Sequence, residues 1–294
     1  MKKKIYFVIG PTSSGKTDLA IEVVRDFGKH ADGSWIGEIV GADSRQILEG
    51  FDLTSGKATY EELHSLGTPI THHLLSCVRP GKYFSVVDYI NLTLPIIEDI
   101  WQRGGIPIIC GGTGQYIDSI YFKEELPEVK PSQELRKELE SLSLENLKER
   151  LNKLDPQAVS RIDVNNKVRL VRAIEIVQEL GYLPERKIEK RFGEDVEVVF
   201  INTTGKFGRD TLRDRIETRF RRRLAQGMVE EVRRDKEKFG LSSEYLENLG
   251  LEYRYVNQYL DGRISYELMV QLLVFETRKY ARRQETWFRK YLNL

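Results

Sequence analysis

Apolar positions along this chain change their rhythm near residue 122. Before that point, short β-rich runs at Ile5–Ile9, Glu38–Ala42 and Ile106–Cys110 are too brief for helices and read as buried strands. Between them, Asp18–Phe27 and Val86–Arg103 carry apolar residues at helical spacing. Strand and helix in alternation predict an α/β fold, a parallel sheet flanked by helices, with functional loops at the carboxyl ends of its strands. Three loops fit that rule: Gly10–Thr17, Asp43-Ser44-Arg45-Gln46 and Gly111-Gly112-Thr113-Gly114. From Lys123 the pattern becomes helical, after the charged, breaker-rich connection Glu124-Glu125-Leu126-Pro127-Glu128-Val129-Lys130-Pro131. Leu135, Leu139 and Leu142 recur at helical spacing, as do Leu144, Leu147, Leu151 and Leu154. Asp155-Pro156 restarts a helix, and Val168–Leu180 forms another that stops at Gly181. Strand texture returns at Val196–Ile201, followed by helical patterns over Arg209–Phe239 and Tyr266–Tyr291. The economical division is an α/β core of residues 1–122 and 196–294 interrupted by an all-α insertion at 123–195.

The loop after the first strand reads Gly10-Pro11-Thr12-Ser13-Ser14-Gly15-Lys16-Thr17, a G-x-x-x-x-G-K-T phosphate-binding P-loop. Glycines let such a loop turn tightly, so that successive N–H groups converge on phosphate oxygens. The helix that follows adds the positive end of its dipole. Lys16 is expected to reach the phosphates and the Thr17 hydroxyl to ligate Mg²⁺. Gly10, Thr12, Ser13, Ser14 and Gly15 complete the expected cradle, and the fold class is accordingly P-loop NTPase-like.

Composition narrows the picture modestly. Forty per cent hydrophobic and 31% charged residues describe an ordinary soluble protein of 294 residues, long enough for a substantial core. Met1-Lys2-Lys3-Lys4 followed by five apolar residues resembles a signal peptide, but the apolar stretch is short and runs straight into the P-loop. No run approaches a membrane span. Cys77 and Cys110 lie far apart without metal spacing, so reduced thiols in a cytoplasmic protein are expected. The net charge of +1 does not point to nucleic acid, but its distribution does. Lys206, Arg209, Arg213, Arg215, Arg219, Arg221, Arg222 and Arg223 face only Asp210, Asp214 and Glu217. Arg278, Lys279, Arg282, Arg283, Arg289 and Lys290 face only Glu276 and Glu285. Such stretches make either a basic groove or a solvated helix face.

A kinase-like P-loop protein needs an acid near the phosphates, for Mg²⁺ or for activating a nucleophile. Asp43 follows Ile39-Val40-Gly41-Ala42, where side chains project above a sheet, and Ser44, Arg45 and Gln46 follow it. A turn or helix cap beginning with Asp is the competing reading. Gly111-Gly112-Thr113-Gly114 permits close backbone approach and offers a hydroxyl. His72-His73 has no carboxylate at metal-ligand spacing and reads as structural.

Taken together, these pieces resemble the tRNA dimethylallyltransferase (tRNA isopentenyltransferase) family. The likeness runs through the P-loop, Asp43-Ser44-Arg45-Gln46, His72-His73-Leu74, Phe84-Ser85-Val86-Val87-Asp88-Tyr89 and Gly111-Gly112-Thr113-Gly114-Gln115-Tyr116. It continues through Arg161-Ile162, Asn165, Arg169-x-x-Arg172-Ala173-Ile174-Glu175 and Arg215-Ile216-x-x-Arg219-Phe220. It closes with Gly227-Met228-Val229-Glu230-Glu231-Val232 and the stretch from Thr277-Arg278 to Trp287-Phe288-Arg289. The order and spacing of the series, not any one motif, carry the resemblance.

The resemblance implies transfer of a dimethylallyl group from dimethylallyl diphosphate to N6 of the adenosine just 3′ of a tRNA anticodon. It implies Asp43 as the base for a weakly nucleophilic adenine amine. It implies Thr113 and an arginine, Arg219 first and Arg215 second, as stabilisers of the leaving diphosphate with Lys16 and Mg²⁺ on Thr17. Ser44 and Gln46 would hold the flipped base, and Arg45 would also contact the tRNA. The basic stretches, including Arg278, Arg282 and Arg283, would bind the RNA backbone. The insertion would clasp the anticodon stem-loop through Arg161, Arg169 and Arg172, with a role in its own core the alternative for the last two. A cytoplasmic monomer with no membrane association is the simplest expectation.

Several positions depart from the family pattern. Leu48 stands where Tyr is usual, and Leu53-Thr54-Ser55-Gly56-Lys57 replaces a stretch like Ile-Gly-Thr-Ala-Lys. Ser76, Asn166 and Gln115 replace a common Asp, a common Asp and an apolar residue, the last expected to alter the prenyl pocket. Gly-Tyr-Arg is represented only by Gly250-Leu251-Glu252-Tyr253-Arg254. No Cys/His finger follows Leu294, so no grip of that kind on nucleic acid is expected. Three rivals remain: an adenylate isopentenyltransferase acting on free nucleotide, a nucleotide or small-molecule kinase, and a non-catalytic P-loop RNA-binding protein.

Overall fold

The β-rich runs of the first third become the centre of a sheet. A computed structural model of the chain describes residues 2–65, 67–125 and 127–292; Met1, Leu66, Leu126, Asn293, Leu294 and the side chain of Arg209 lie outside the described residues. Contacts divide the chain into two compact units, Met1–Phe122 with Lys190–Leu294, and Lys123–Glu189.

The first unit begins β1 (Lys3–Ile9), α1 (Lys16–Phe27), β2 (Gly37–Gly41), α2 (Asp52–Ser55), α3 (Tyr60–His64), β3 (His72–His73), α4 (Val86–Gln102), β4 (Ile106–Gly111) and α5 (Gly114–Tyr121). β5 (Phe122–Glu124) leads out of it. The second unit holds α6 (Gln133–Glu140), α7 (Leu144–Leu154), α8 (Ala158–Arg161) and α9 (Lys167–Leu180) before β6 (Ile188–Lys190), which pairs with β5. The first unit resumes with β7 (Val196–Asn202), α10 (Arg209–Ala225), α11 (Met228–Phe239), α12 (Ser243–Leu249), α13 (Leu251–Leu260) and α14 (Tyr266–Phe288), ending in a 3-10 turn at Arg289–Tyr291.

The sheet has the order β3-β2-β4-β1-β7, and its strands pair in parallel throughout. Its middle strands are apolar on both faces because helices cover both faces, as parallel sheets require. Ile5, Phe7, Val8 and Ile9 of β1 are fully buried, as are Ile108 and Ile109 of β4. One core forms around Phe7, Val40, Ile109 and Phe51 with apolar stripes of α10, α11, α13 and α14, while Val8, Ile39 and Ile108 pack against Ala20 and Val24 of α1 on the other face. Among the described residues no helix is long and apolar enough to cross a membrane.

The second unit has its own small core of Leu139, Leu147, Leu151, Leu170, Ile174 and Val177. The buried Glu175 receives Arg136 at 2.8 Å and Arg172 at 3.4 Å. Burial raises its pKa, but the Arg136 guanidinium outweighs that and leaves it below the usual carboxylate value.

The structure redraws two boundaries. Residues 190–195 group with the first unit. Arg191 donates to the carbonyls of Ser119, Ile120 and Phe122 at 2.9–3.1 Å, and the Phe192 ring meets Trp101 edge-on. The continuous helical pattern from Arg209 to Phe239 is cut at Gly227, whose φ of 97° lies in the left-handed region open to glycine. The break lets α11 turn back, so that Glu231 accepts from the N–H groups of Leu53 and Thr54 and Asp235 from that of Phe51, at 2.7–2.9 Å. Two carboxylates thus satisfy amides at the start of α2 that no intrahelical partner can reach.

Candidate active site

Parallel pairing brings the strand ends together. Ile9 lies beside Gly111 and Asn202, and Gly41 beside Cys110, so the loops after β1, β2, β4 and β7 share one edge of the sheet. The P-loop leaves that edge at Gly10, where a Cβ would collide with the Thr203 hydroxyl. Thr203 stands 2.6 Å from the Ser14 hydroxyl, which also donates to Pro11 O. The Ser14 side chain therefore supports the loop from beneath, and only its backbone can serve a phosphate. α1 begins after Gly15 with no side-chain cap, in contrast to the Ser85 and Thr59 caps elsewhere. An uncapped first turn leaves its amides for an anion.

Next to these amides, Lys16 Nζ donates to Pro11 O at 2.7 Å. Burial pulls its pKa down to about 8, with Cys110 and Asp43 opposing and Arg219 assisting. From α10, Arg215 Nε donates to Ser13 O at 2.9 Å, and Arg219 reaches the hydroxyls of Thr12 and Ser13 at 3.3 and 3.5 Å. Both arginines thus touch the P-loop. Arg215 is exposed and stacked over Phe207, whereas Arg219 is the deeper of the two, its pKa lowered by burial.

Asp43 begins the turn after β2, and its Oδ1 accepts from the N–H groups of Arg45 at 2.9 Å and Gln46 at 3.4 Å. These bonds orient the carboxylate and leave its second oxygen to the cavity. Ser44 N–H donates to Thr113 Oγ1 at 3.0 Å, so Thr113 ties the turn after β4 to the turn after β2. Gln46 Nε2 donates to Gly56 O at 2.9 Å, which fixes the amide and leaves Oε1 as an acceptor. The departing stretch around Gly56 is held by Lys57. Its buried ammonium donates to Leu48 O, Gly50 O, Asp52 and Ser76 at 2.6–2.7 Å.

These groups line one open cavity of about 1310 Å³, walled entirely by the first unit. Thr12, Ser13, Gly15, Lys16 and Thr17 form one side, Asp43, Ser44, Arg45 and Gln46 another, and Arg215 and Arg219 a third. Gly10, Ser14 and Thr113 stand behind that wall rather than in it, and the exposed Gln115 does not face the cavity.

Gln284, on α14, lies within the Thr277-to-Arg289 stretch of the resemblance and carries no expected role there. It accepts from Thr12 N–H through Oε1 and donates from Nε2 to Gly112 O, both at 2.8 Å, bridging the P-loop to the turn after β4. Its signal was present: Met269, Leu273, Thr277, Ala281, Gln284 and Phe288 form the buried stripe of α14, in which a polar residue needs partners. Arg222 and Arg223, from the first basic stretch, also line the cavity, as do Glu252 and Tyr280, which carry no expected role.

The histidine pair is structural in its bonding. His73 Nε2 lies 2.7 Å from Glu38, which also holds Arg103. Burial drives His72 down to about 4, so it is neutral. Among the described residues no cluster of three or more His, Cys, Asp or Glu side chains is arranged for a metal.

The expected RNA-binding arginines scatter. Arg161 pairs with Asp155 at 3.1 Å and donates to Leu183 O, and Arg172 bonds Glu175 and Val129 O, so both knit the second unit together. Arg169 is exposed. On α14, Arg282 and Arg283 are exposed and Arg278 half-buried.

A parallel sheet with an uncapped P-loop helix, a lysine and two arginines meeting at that loop, and a carboxylate in the turn after β2 defines a P-loop fold. A family model of IPP transferases matches residues 46–291. The chain belongs to this family, the tRNA dimethylallyltransferases, which are prenyltransferases. It is 36% identical over 290 residues to tRNA dimethylallyltransferase 1 of Syntrophus aciditrophicus, covering 99% of this chain and 90% of that one. It is similar to the crystal structure of tRNA isopentenylpyrophosphate transferase from Staphylococcus epidermidis, with 30% identity, a TM-score of 0.65 and coverage of 98% and 90%. A eukaryotic dimethylallyltransferase crystallised in its action on tRNA shares the fold, with 24% identity, a TM-score of 0.78 and coverage of 97% and 70%.

Proposed function

We propose that this chain transfers the dimethylallyl group of dimethylallyl diphosphate to N6 of the adenosine adjacent, on the 3′ side, to a tRNA anticodon. The supporting observation is the placement of the Asp43 carboxylate, held by two backbone amides, in the same cavity as Lys16 and Arg219. One cavity can then hold the acceptor at the β2 turn and the diphosphate at the P-loop.

In this reading the allylic C–O bond breaks as the N6–C bond forms, the N6 proton goes to Asp43, and diphosphate departs. An adenine amine has its lone pair delocalised into the ring, so a proton acceptor at the transition state lowers the barrier. The uncapped amides of α1, Lys16 and Arg219 take up the charge growing on the leaving group. Gln46 Oε1 accepts from the base, and Ser44 and Arg45 border it. Thr113 acts through Ser44 by fixing the β2 turn. Thr17, on the first turn of α1 and in the cavity wall, would hold Mg²⁺, which neutralises charge on the diphosphate. A site with one hydroxyl and few carboxylates suits an ion that keeps waters and binds chiefly through substrate phosphates. The unit Lys123–Glu189 is assigned to the anticodon stem, with Arg169 among its exposed arginines, and Arg282 and Arg283 to the RNA backbone.

The test is transfer of labelled dimethylallyl from its diphosphate, with Mg²⁺, to unmodified tRNA, with AMP and ATP as competing acceptors. Label on tRNA alone is expected. Label on the free nucleotide would establish the adenylate-type activity instead, and no label with tight ATP binding would establish a kinase.

A further inference from the structure

Two guanidinium groups converge where the loop after β2 departs from the family pattern. A Cβ on Gly56 would run into the guanidiniums of both Arg223 and Arg219, so the glycine, at φ 66°, opens the space they occupy. Arg223 is 6% exposed. It donates to Thr54 O at 3.5 Å, and Arg219 to Gly56 O at the same long distance. Burial, with Arg219 beside it, pulls the Arg223 pKa down to about 9. Glu252 lines the same cavity and is the principal charge opposing this for both arginines, yet no hydrogen bond joins it to either among the described residues. Buried cations ordinarily carry short, charge-assisted bonds. This pair is built for an anion that the chain does not itself supply.

Position selects which anion. Arg219 spans the cavity, with Nη1 toward Thr12 and Ser13 of the P-loop and Nη2 toward Gly56. Arg223, one helical turn further along α10, reaches Thr54 instead. Gly56 O also anchors Gln46, which holds the acceptor base in the proposed reading. Arg223 therefore stands on the acceptor side of the cavity.

We propose that Arg223, admitted by Gly56 and working with Arg219, forms a second anion subsite that binds a phosphodiester of the acceptor RNA next to the base held at Gln46. The proposal rests on the tRNA reading above. The planar guanidinium suits two phosphate oxygens at once, and Glu252 keeps the paired cations tolerable before the RNA arrives.

The experiment compares wild type, Arg223→Gln and the double variant Arg223→Gln/Glu252→Gln, the last removing both buried charges so that neither is stranded. Three quantities are read: affinity for an unmodified anticodon stem-loop RNA against salt, affinity for inorganic pyrophosphate, and Tm. Both variants should lose about tenfold or more in RNA affinity. Their salt slopes should shrink by about 0.7–0.9, the equivalent of one phosphate. Pyrophosphate affinity should stay within about twofold, below the tenfold that a lost charged contact brings, and the double variant should keep the wild-type Tm. Loss of pyrophosphate affinity with RNA binding intact would place Arg223 in the donor site and overturn the proposal. Unchanged binding of both would make the guanidinium structural and overturn it equally. A wild type that binds pyrophosphate but no stem-loop would instead refute the tRNA reading, a failure visible before any variant is made.

Discussion

Replacing Gln284 with alanine tests whether one side chain unites the two halves of the donor site. Its amide joins Thr12 N–H and Gly112 O with two hydrogen bonds of 2.8 Å, and the residue is 6% exposed. Truncation leaves one buried donor and one buried acceptor, each costing about 1–3 kcal/mol if nothing replaces its partner. Gln284 lines the cavity, so water can reach part of the gap, and the expected loss lies near the lower bound, about 2–3 kcal/mol. Urea unfolding should show it as a fall in midpoint with an unchanged slope. The P-loop should loosen as well, weakening pyrophosphate binding more than RNA binding. Gln284→Glu sharpens the test, because a carboxylate accepts from Thr12 but faces Gly112 O with no proton to give. That variant should regain stability toward acid pH, as protonation restores a donor, whereas the alanine variant should not. A change below about 0.5 kcal/mol in both variants, the range of an ordinary surface substitution, with normal pyrophosphate affinity, would refute the bridging role.

Asp43→Ala should lower turnover by about 10²–10⁴-fold while tRNA affinity stays within a few-fold, and single-turnover transfer at saturating substrates checks it. Lys16, with its pKa at about 8, is charged below that pH. Diphosphate binding favours the charged form, so affinity should be level below about pH 8 and fall above it, approaching tenfold per unit. A dissociation constant flat from about pH 7 to 9.5 would contradict this. Lys57→Met strands the carbonyls of Leu48 and Gly50 and should destabilise by about 3 kcal/mol, read by urea unfolding. Replacing 123–189 with a short linker should weaken tRNA binding far more than pyrophosphate binding; equal loss of both would attach that unit to the catalytic core.

Much of this architecture was legible along the chain because it is local in origin. A strand buried on both faces needs an unbroken apolar run, and Ile5–Ile9 supplies one. A helix that ends on glycine announces its stop, as Val168–Leu180 does at Gly181. The P-loop is legible for the same reason: its function resides in consecutive backbone amides, so its chemistry is written in consecutive residues. Asp43 could be found from its place after β2, since a parallel sheet puts every strand's carboxyl end on one edge.

What the chain did not disclose depends on which distant residues meet. Gln284 and Thr12 are 272 positions apart, and only the docking of α14 beside the sheet makes one the partner of the other. The helical period was right through Gln226 yet silent about the turn at Gly227, because periodicity records which face is buried and not where the axis changes. Ser14 and Thr113 belong to motifs that suggest phosphate contact, but their hydroxyls are held by Thr203 and Ser44. Long arginines were the least legible of all: Arg215, Arg219 and Arg223 share one helix, and their reach differs by several bonds of free rotation. Sequence by itself determined the four longer strands of the sheet, the P-loop motif and the family, since these follow from local burial and consecutive backbone chemistry, but not the short strands β3, β5 and β6. Tertiary structure alone decided which side chains face the cavity and which serve as its supports, because that choice is made by packing between segments that no local pattern connects.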